Sequence, residues 1–226
     1  MRRNAASLGG LAHEEARRYR CRNFSDCGRG SCANQSPMLS IPRLETQRLI
    51  LRPFASDDGT RVEELAGARE VAETTLTIPH PYPRGAGAAW IATHADAWTR
   101  GDQLTLAICS PTANESPIGA IGLHFSRAHR HGEIGYWIGV SWWGKGYATE
   151  AARAITDFGF EALDLHRIQG RHFTRNVASG RVLQKLGMRL EGIHRDAFLR
   201  WDRFEDVAVY AILRSERDGI ATRAAG

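Results

Sequence analysis

Hydrophobic and polar positions follow two different periods along this chain, and the change from one to the other predicts its central elements. Ile134 to Gly139 form a short apolar run with the length of a buried strand. From Tyr147 onward the apolar residues recur with the period of a helix, on a face that contains Ala148, Ala151, Ala152, Ile155 and Phe158. The residues in between, Trp142-Trp143-Gly144-Lys145-Gly146, are rich in glycine. This stretch therefore predicts a strand, a glycine-rich turn and a helix.

The residues before this stretch predict a strand, two helices and two more strands. The segment Leu44 to Phe54 alternates from Arg48 onward and ends at Pro53, which is typical of a first strand. Ser56-Asp57-Asp58 then offers N-cap side chains for a first helix, and a second helix is expected from about residue 87 to 100. Two apolar strands joined by a short turn follow, which implies antiparallel pairing: Gln103 to Cys109 and Ile118 to Phe125.

The residues after the central helix complete a single α/β domain. They predict strands at 165–174, 188–194 and 206–213, and a short helix at 178–186 that Gly187 ends. This order of elements is typical of a mixed, mostly antiparallel sheet with helices against its faces. The glycine-rich turn has neither the G-x-G-x-x-G spacing nor the G-x-x-x-x-G-K-[ST] spacing, which excludes a Rossmann repeat and a P-loop.

Composition sets the domain boundaries and limits the partners. The chain has 226 residues, of which 42% are hydrophobic, enough for one globular domain. Residues 1–38 show no apolar periodicity and predict a disordered extension, so we expect the domain at 39–216 and a tail at 217–226. That extension holds seven Arg and three acidic residues, a local excess of +4 within a net charge of +5. The body is nearly neutral, so charge does not predict binding to nucleic acid or to a membrane.

Neither a membrane span nor a metal site is predicted. No apolar run approaches the roughly 18 residues that a membrane helix needs, and no secretory signal is visible, so we expect a soluble, cytoplasmic protein. Cys21, Cys27 and Cys32 have a spacing that fits no common zinc pattern, and Cys109 lies in an apolar strand. The histidines are scattered over different elements, without H-x-x-x-H spacing: His94, His124, His166, His172 and His194.

The glycine-rich turn carries the first functional hypothesis. The first turn of a helix leaves several backbone N–H groups unpaired and has the positive end of the helix dipole, and glycines let a ligand approach the backbone closely. The turn before Tyr147 therefore predicts a phosphate site. The alternative is that Gly144 and Gly146 only make a tight turn.

The same turn, together with three other motifs in matching order, resembles the GCN5-related N-acetyltransferases (GNAT). Their acetyl-CoA motif is Q/R-x-x-G-x-G/A, in which Trp143 takes the Q/R position, Gly146 the first Gly and Ala148 the final Gly/Ala. The likeness is greatest to the ribosomal-protein N-terminal acetyltransferases of RimJ/RimL type, and it covers roughly residues 42–214. It includes these further segments: Leu44 to Arg52, Gly135-Tyr136-Trp137-Ile138-Gly139, and Asn176-x-x-Ser179 followed by Lys185-Leu186-Gly187-Met188.

This resemblance implies acetyl-CoA as the co-substrate and a sheet whose central strands splay to admit it. The pyrophosphate would lie on the backbone of the turn, and the pantetheine arm would bond to the outgoing strand in place of a neighbouring strand. A backbone N–H near Trp137 would polarise the thioester carbonyl. The residues implied in cofactor binding are Trp137, Ile138, Gly139, Val140, Trp143, Gly144, Lys145, Gly146, Tyr147, Ala148, Thr149, Asn176 and Ser179.

The resemblance also implies two catalytic residues and shows one departure. Glu133 occupies the position of a glutamate that acts as general base, often through water, although it could instead pair on the surface with His131 or Arg130. Ser179 could donate a proton to the departing thiolate, or serve only in the first turn of a helix. Many family members have a tyrosine as general acid seven residues after the Asn, where this chain has Leu183.

The function expected from these residues is an acetyl-CoA-dependent N-acetyltransferase that works by direct attack of a primary amine in a ternary complex. The acceptor could be a protein N-terminal α-amine or a small-molecule amine, and Trp142 and Tyr82 could line its pocket. The protein could be a monomer or a homodimer. The alternative function is a non-catalytic acyl-CoA-binding module that acts as a sensor or an interaction partner.

Overall fold

The computed structural model describes residues 40–217. The predicted N-terminal extension with Cys21, Cys27 and Cys32, and all but the first residue of the predicted tail at 217–226, lie outside the described residues. No helix between residues 40 and 217 combines the length and apolar character that a membrane crossing requires.

The sequence predicted one first strand, and the structure has a hairpin of two short strands there. β1 is Leu44–Glu45 and β2 is Ile50–Arg52, and they pair antiparallel. Thr46 closes the turn between them: its backbone N–H donates to the Leu49 carbonyl at 2.9 Å, and its hydroxyl accepts from the Leu49 N–H at 3.0 Å. A side chain that bonds nearby backbone groups competes with a continuous strand.

The helices after β2 are shorter and more numerous than predicted. They are α1 (Gly59–Ala66), α2 (Arg69–Ala72), α3 (Ala86–Ala92) and α4 (His94–Arg100). The predicted helix at about 87–100 divides at Thr93, whose hydroxyl donates to the Trp90 carbonyl at 2.7 Å. The sequence offered Asp58 as an N-cap, but its carboxylate does not cap α1. It accepts instead from the Ala55 N–H at 2.8 Å and from Arg52.

The remaining elements form one mixed, mostly antiparallel sheet, as predicted. In the described part of the chain eight strands have the order β1-β2-β3-β4-β5-β6-β8-β7, and β5 and β6 are parallel while the other neighbours are antiparallel. Two helices, α5 (Tyr147–Glu161) and α6 (Val177–Lys185), follow β5 and β6. The strands are β3 (Gln103–Cys109), β4 (Pro117–Ser126), β5 (His131–Ile138), β6 (Arg167–Phe173), β7 (Arg189–Arg200) and β8 (Arg203–Leu213).

The hairpin of β7 and β8 is longer than predicted. The sequence predicts strands that stop at 194 and resume at 206, whereas the two strands continue to Arg200 and Arg203. β7 is an edge strand in which no residue is buried, and its register with β8 shifts twice. Residues that bury no face carry no alternating hydrophobic signal, so the pattern misses this part of the hairpin.

β5 and β6 separate halfway along their length. Their parallel pairing ends at Ile134 and Gly170. Beyond that point β5 remains paired with β4 as far as Ile138, and β6 remains paired with β8 as far as Phe173. The two strands therefore diverge and leave a wedge-shaped gap, which confirms the predicted splay.

The core lies mainly between the sheet and α5. The predicted apolar face of α5 is confirmed: Ala151, Ala152 and Ile155 are fully buried, and Ala148 and Phe158 are partly buried against the core. Phe160, which the pattern did not include, is also buried there. Cys109 is buried in β3 as expected. Trp201 lies outside this core, at the tip of the β7–β8 hairpin, with 39% of its surface accessible.

Candidate active site

A cavity of about 940 Å³ occupies the gap between β5 and β6. Its walls include the N-terminal ends of α5 and α6 and the loop at 74–79. Most of the predicted site residues line it, and three do not: Gly139, Val140 and Lys145. The predicted residues that line it are Glu133, Trp137, Ile138, Trp143, Gly144, Gly146, Tyr147, Ala148, Thr149, Asn176 and Ser179.

The glycine-rich turn leads directly into the cavity wall. Gly144 and Gly146 have φ of +75° and +81°, in the left-handed region that favours glycine, and Gly146 is the N-cap of α5. A Cβ on Gly144 would have nothing within 4 Å, so the outer surface of the turn is open. The first N–H groups of this 15-residue helix have no partner within the helix, which makes its start suited to an anion.

A clamp of three residues, which the sequence reasoning missed, holds this turn against the β1–β2 hairpin. Glu150 accepts from the Thr46 hydroxyl at 2.6 Å, from the Arg48 N–H at 2.8 Å and from Arg48 Nε at 2.7 Å. Arg48 Nη1 also donates to the Lys145 carbonyl at 3.0 Å. Burial opposes ionisation of Glu150, but these hydrogen bonds outweigh it and lower the pKa of the carboxyl. Thr46 and Arg48 belong to a segment of the resemblance, but nothing in the sequence indicates that they meet Glu150.

Trp143 and Lys145 are used differently from the expectation. The Trp143 indole N–H donates to the Ile138 carbonyl at 2.6 Å, so this residue ties the turn to the end of β5. Lys145 Nζ lies 4.8 Å from the centre of the Trp142 ring. The Trp143 indole has a single N–H, and the Ile138 carbonyl accepts it, so Trp143 brings neither a free donor nor a charge to the Q/R position of the motif.

The edge of β5 that faces the gap carries the backbone groups of alternate residues. The Gly139 N–H donates to the Ile118 carbonyl at 2.9 Å, toward β4. Because strand backbone groups point alternately to either side, the Trp137 groups also face β4, and those of Tyr136 and Ile138 face the gap. The N–H groups available to a thioester carbonyl are therefore those on either side of Trp137, not its own.

Glu133 lies near the point where β5 and β6 separate, and it is held by β6. Arg171 donates to Glu133 Oε1 from Nε at 2.8 Å and forms an ion pair with it from Nη2 at 2.7 Å. Gln169 Nε2 donates to Oε2 at 2.7 Å. The suggested surface pairing with His131 or Arg130 is wrong, because the carboxylate turns toward the cavity and both its oxygens have donors from β6. These contacts orient the group that the amine would meet.

At the start of α6 the hydroxyl of Ser179 meets a second hydroxyl, from Tyr136 of β5, in the cavity wall. Asn176 caps the helix by accepting the Ser179 N–H on its side-chain oxygen at 3.1 Å, and it also lines the cavity. Ser179 Oγ lies 2.8 Å from the hydroxyl of Tyr136, a residue for which the sequence gave no role. Burial raises the pKa of Tyr136 to about 12, against the opposing effect of its bond to Ser179. Leu183 is buried in the core and supplies no proton.

Opposite faces of β5 thus present different chemistry to one cavity. Side chains alternate along a strand, so Glu133 and Trp137 project from one face and Tyr136 from the other. The carboxylate contacts β6 side chains, and the tyrosine contacts the first turn of α6. A thioester held in the gap would have the carboxylate on one side and the hydroxyl pair on the other.

Long-range arginine bonds hold the loop that closes the other end of the cavity. Arg200 Nη2 donates to the carbonyls of Ala72 at 2.8 Å and Ile78 at 2.6 Å, and Arg175 donates to the Glu73 carbonyl. Arg175 is itself paired with the buried carboxylate of Glu205 at 2.9 Å. Trp142 and Tyr82 line the cavity, as suggested for an acceptor pocket.

The shape and the donors of this cavity fit coenzyme A. The turn offers open glycine backbone and a helix N-terminus for phosphate, and the unpaired edge of β5 offers a ladder for an extended amide-containing arm. Within residues 40–217, no group of three or more His, Cys, Asp or Glu side chains is arranged to hold a metal ion.

A mixed sheet that splays beside a glycine-rich helix N-terminus defines the class of coenzyme A-dependent N-acetyltransferases. Residues 48–189 match the acetyltransferase (GNAT) domain family, and the chain belongs to this family. It is therefore an acetyltransferase, a class of enzymes that uses acetyl-CoA.

Proteins similar to this chain include ribosomal-protein acetyltransferases of RimJ/RimL type. It is 31% identical over 190 residues to the N-acetyltransferase YoaA of Bacillus subtilis (strain 168), which covers 77% of this chain and 98% of that one. It is 33% identical over 79 residues to the [ribosomal protein uS5]-alanine N-acetyltransferase of Escherichia coli (strain K12), covering 35% of this chain and 41% of that one. The solved structure of Mycobacterium smegmatis RimJ in complex with CoA-disulfide superposes with a TM-score of 0.68 at 25% identity, covering 79% of this chain and 89% of that one. The RimJ/RimL-like resemblance is thus confirmed.

Proposed function

We propose that this enzyme transfers an acetyl group from acetyl-CoA directly to a primary amine, a protein N-terminal α-amine or a small-molecule amine, within a ternary complex. The observation that carries the proposal is the cavity in the β5–β6 gap, which has a turn suited to an anion at one end and is lined by Glu133 near the point where the strands separate. Acetyl-CoA supplies an activated thioester, and the enzyme's task is to orient the amine and remove its proton.

The turn and the free strand edge bind and orient the cofactor in this proposal. The N–H groups of Gly144 to Thr149 hold the pyrophosphate. The backbone of Tyr136 and Ile138 holds the pantetheine arm, and one of their N–H groups donates to the thioester oxygen as negative charge develops there.

Glu133 accepts the proton of the attacking amine, directly or through water. Arg171 and Gln169 keep its carboxylate directed into the cavity. Ser179 donates a hydrogen bond to the departing sulfur. No acetyl-enzyme is needed: Cys109, the free cysteine within the described residues, is buried in β3, and burial raises the pKa of its thiol to about 11.

The acceptor end is compatible with both classes of amine. The cavity wall at 74–79 is backbone and uncharged side chains, so it could bind a peptide N-terminus as readily as a compact amine. The relative whose name gives ribosomal protein uS5 as its substrate supports the first of these.

A coenzyme A-release assay on a panel of peptides and small amines tests this function. We expect turnover with at least one primary amine and none with tertiary amines. Tight acetyl-CoA binding without turnover for any acceptor would favour the non-catalytic binding module, for which the replacement of the family tyrosine by Leu183 is the supporting observation.

Glu133→Gln tests the base. We expect kcat/KM to fall about 100-fold, and most below neutral pH, where the amine is hardest to deprotonate. Glu191→Gln is the matched control, because Glu191 also pairs with an arginine, Arg167, but on the exposed side of β7. A pH–rate profile of Glu133→Gln that coincides with the wild-type profile would remove Glu133 from the mechanism.

A further inference from the structure

Two hydroxyl groups meet at the α6 side of the cavity. The Tyr136 hydroxyl lies 2.8 Å from Ser179 Oγ and 3.3 Å from the Ser179 carbonyl. Both residues line the cavity. A serine oxygen has one proton and two lone pairs, so Ser179 can accept a hydrogen bond from Tyr136 and still donate its own proton into the cavity.

The position expected to carry the acid cannot do so. Leu183 is 1% exposed, and its methyl group lies against Gly170 of β6, where a Cβ would come within 2.6 Å of it. Tyr136 reaches the first turn of the same helix from the strand opposite. It thereby brings a phenol to the helix that lacks one at position 183.

We propose that Tyr136 is a positioning residue for the leaving group: it donates to Ser179 Oγ and so orients and strengthens the Ser179 O–H as a donor to the departing thiolate. A hydroxyl that receives a hydrogen bond becomes a better donor, because linked hydrogen bonds polarise one another. This inference rests on the proposed function and adds a residue to which the motifs assign no role.

The proton balance follows from these positions. The electron pair of the breaking carbon–sulfur bond stays on sulfur, which leaves as a thiolate that Ser179 stabilises. Tyr136 and Ser179 keep their protons. The amine proton passes through Glu133 to solvent, and the sulfur takes a proton from solvent on release. Burial raises the pKa of Tyr136 to about 12, so its O–H stays intact across the working pH range.

A double-mutant cycle separates this role from a purely structural one. Tyr136→Phe and Ser179→Ala should each lower kcat about 10-fold or more, with the KM for acetyl-CoA within about 2-fold of wild type. Because Tyr136 acts through Ser179, the double variant should be no slower than Ser179→Ala. If Tyr136 only supports the fold, the two losses would multiply.

Tyr210→Phe is the matched control. It also removes a buried tyrosine hydroxyl that bonds a side chain of α6, Gln184, at 3.3 Å, but it lies outside the cavity lining. We expect its kcat to equal that of wild type. A loss equal to that of Tyr136→Phe would assign both effects to helix packing and overturn the inference.

Binding of the product gives a readout that does not depend on turnover. If Ser179 stabilises a thiolate, coenzyme A should bind more tightly by about 10-fold between pH 7 and 9, whereas desulfo-coenzyme A should not. Calorimetry should show that Tyr136→Phe loses most of this pH dependence. If the wild type is active and Tyr136→Phe keeps both its kcat and its pH dependence of coenzyme A binding, the inference is overturned and the proposed function stands. If the wild type neither binds acetyl-CoA nor releases coenzyme A, the proposed function is overturned as well.

Discussion

The two ends of the cavity are built in different ways. At the cofactor end, one short stretch of chain from Trp142 to Glu150 provides the turn, the left-handed glycines and the start of α5. At the acceptor end, the loop at 74–79 receives its shape from Arg175 and Arg200, whose partners lie 102 to 128 positions away in the chain. Local backbone geometry thus shapes one end, and long-range hydrogen bonds shape the other.

This difference suggests how one fold serves different acceptors. The cofactor end depends on conformations that only certain residues adopt, so a change there removes binding. The acceptor end depends on a few arginines that bond backbone carbonyls, and these bonds do not specify the loop's side chains. Single substitutions should therefore affect binding of the two substrates separately.

Gly146→Val should break the cofactor end with the largest effect. Valine at φ +81° is strained, and its Cβ would lie 3.4 Å from Arg48 Nη2. We expect acetyl-CoA to bind at least 100-fold more weakly, about 3 kcal/mol, as measured by calorimetry. Gly192→Val on the open face of β7, where a Cβ meets nothing within 4 Å, is the control. Unchanged binding in Gly146→Val would contradict the phosphate site.

Arg200→Gln should break the acceptor end and leave the cofactor end intact. The loss of its bonds to the Ala72 and Ile78 carbonyls should loosen the loop and raise the acceptor KM about 10-fold, while the acetyl-CoA dissociation constant stays unchanged. Arg195→Gln, at an exposed position of the same strand, should have neither effect. Equal weakening of both substrates would show that the two ends are not independent.

Glu150→Gln should have the smallest effect of the three substitutions. It loosens the clamp of Thr46, Arg48 and Glu150, which adds a long-range contact to the cofactor end. Its bonds with Thr46 and Arg48 are partly exposed, so we expect a loss of about 1 kcal/mol in the free energy of unfolding at pH 7. Since the folded-state pKa of Glu150 lies below 4.5, this contribution is fully present above pH 4.5 and disappears as pH falls through the lowered value.

Denaturant unfolding at pH 7 and near pH 3 measures this difference. Glu64→Gln, which alters an exposed ion pair with Arg61 on α1, should change stability little at either pH. If wild type and Glu150→Gln differ in free energy of unfolding by the same amount at both pH values, the carboxylate is not the cause of the difference.

Periodic sequence patterns predicted the elements that bury a regular face and missed those that do not. The centre of α5 and the strands β3 to β5 lie close to their predicted positions because each buries apolar residues in a regular way. β3 and β4 are apolar runs that are buried almost throughout, β5 alternates buried with more exposed residues, and α5 buries one face. The exposed part of the β7–β8 hairpin and the break at Thr93 were not predicted. In those places edge pairing and a side-chain bond to the backbone, rather than burial, decide the structure.

The sequence by itself determined the family, the glycine-rich turn and the candidate residues Glu133 and Ser179, because these depend on motifs and on conformations of neighbouring residues. Tertiary structure alone decided which groups act together. It joined Glu133 to Arg171, Tyr136 to Ser179 and Glu150 to Arg48. Such contacts depend on how strands pair and where helices pack, and a distance between residues far apart in the chain leaves no trace in local periodicity.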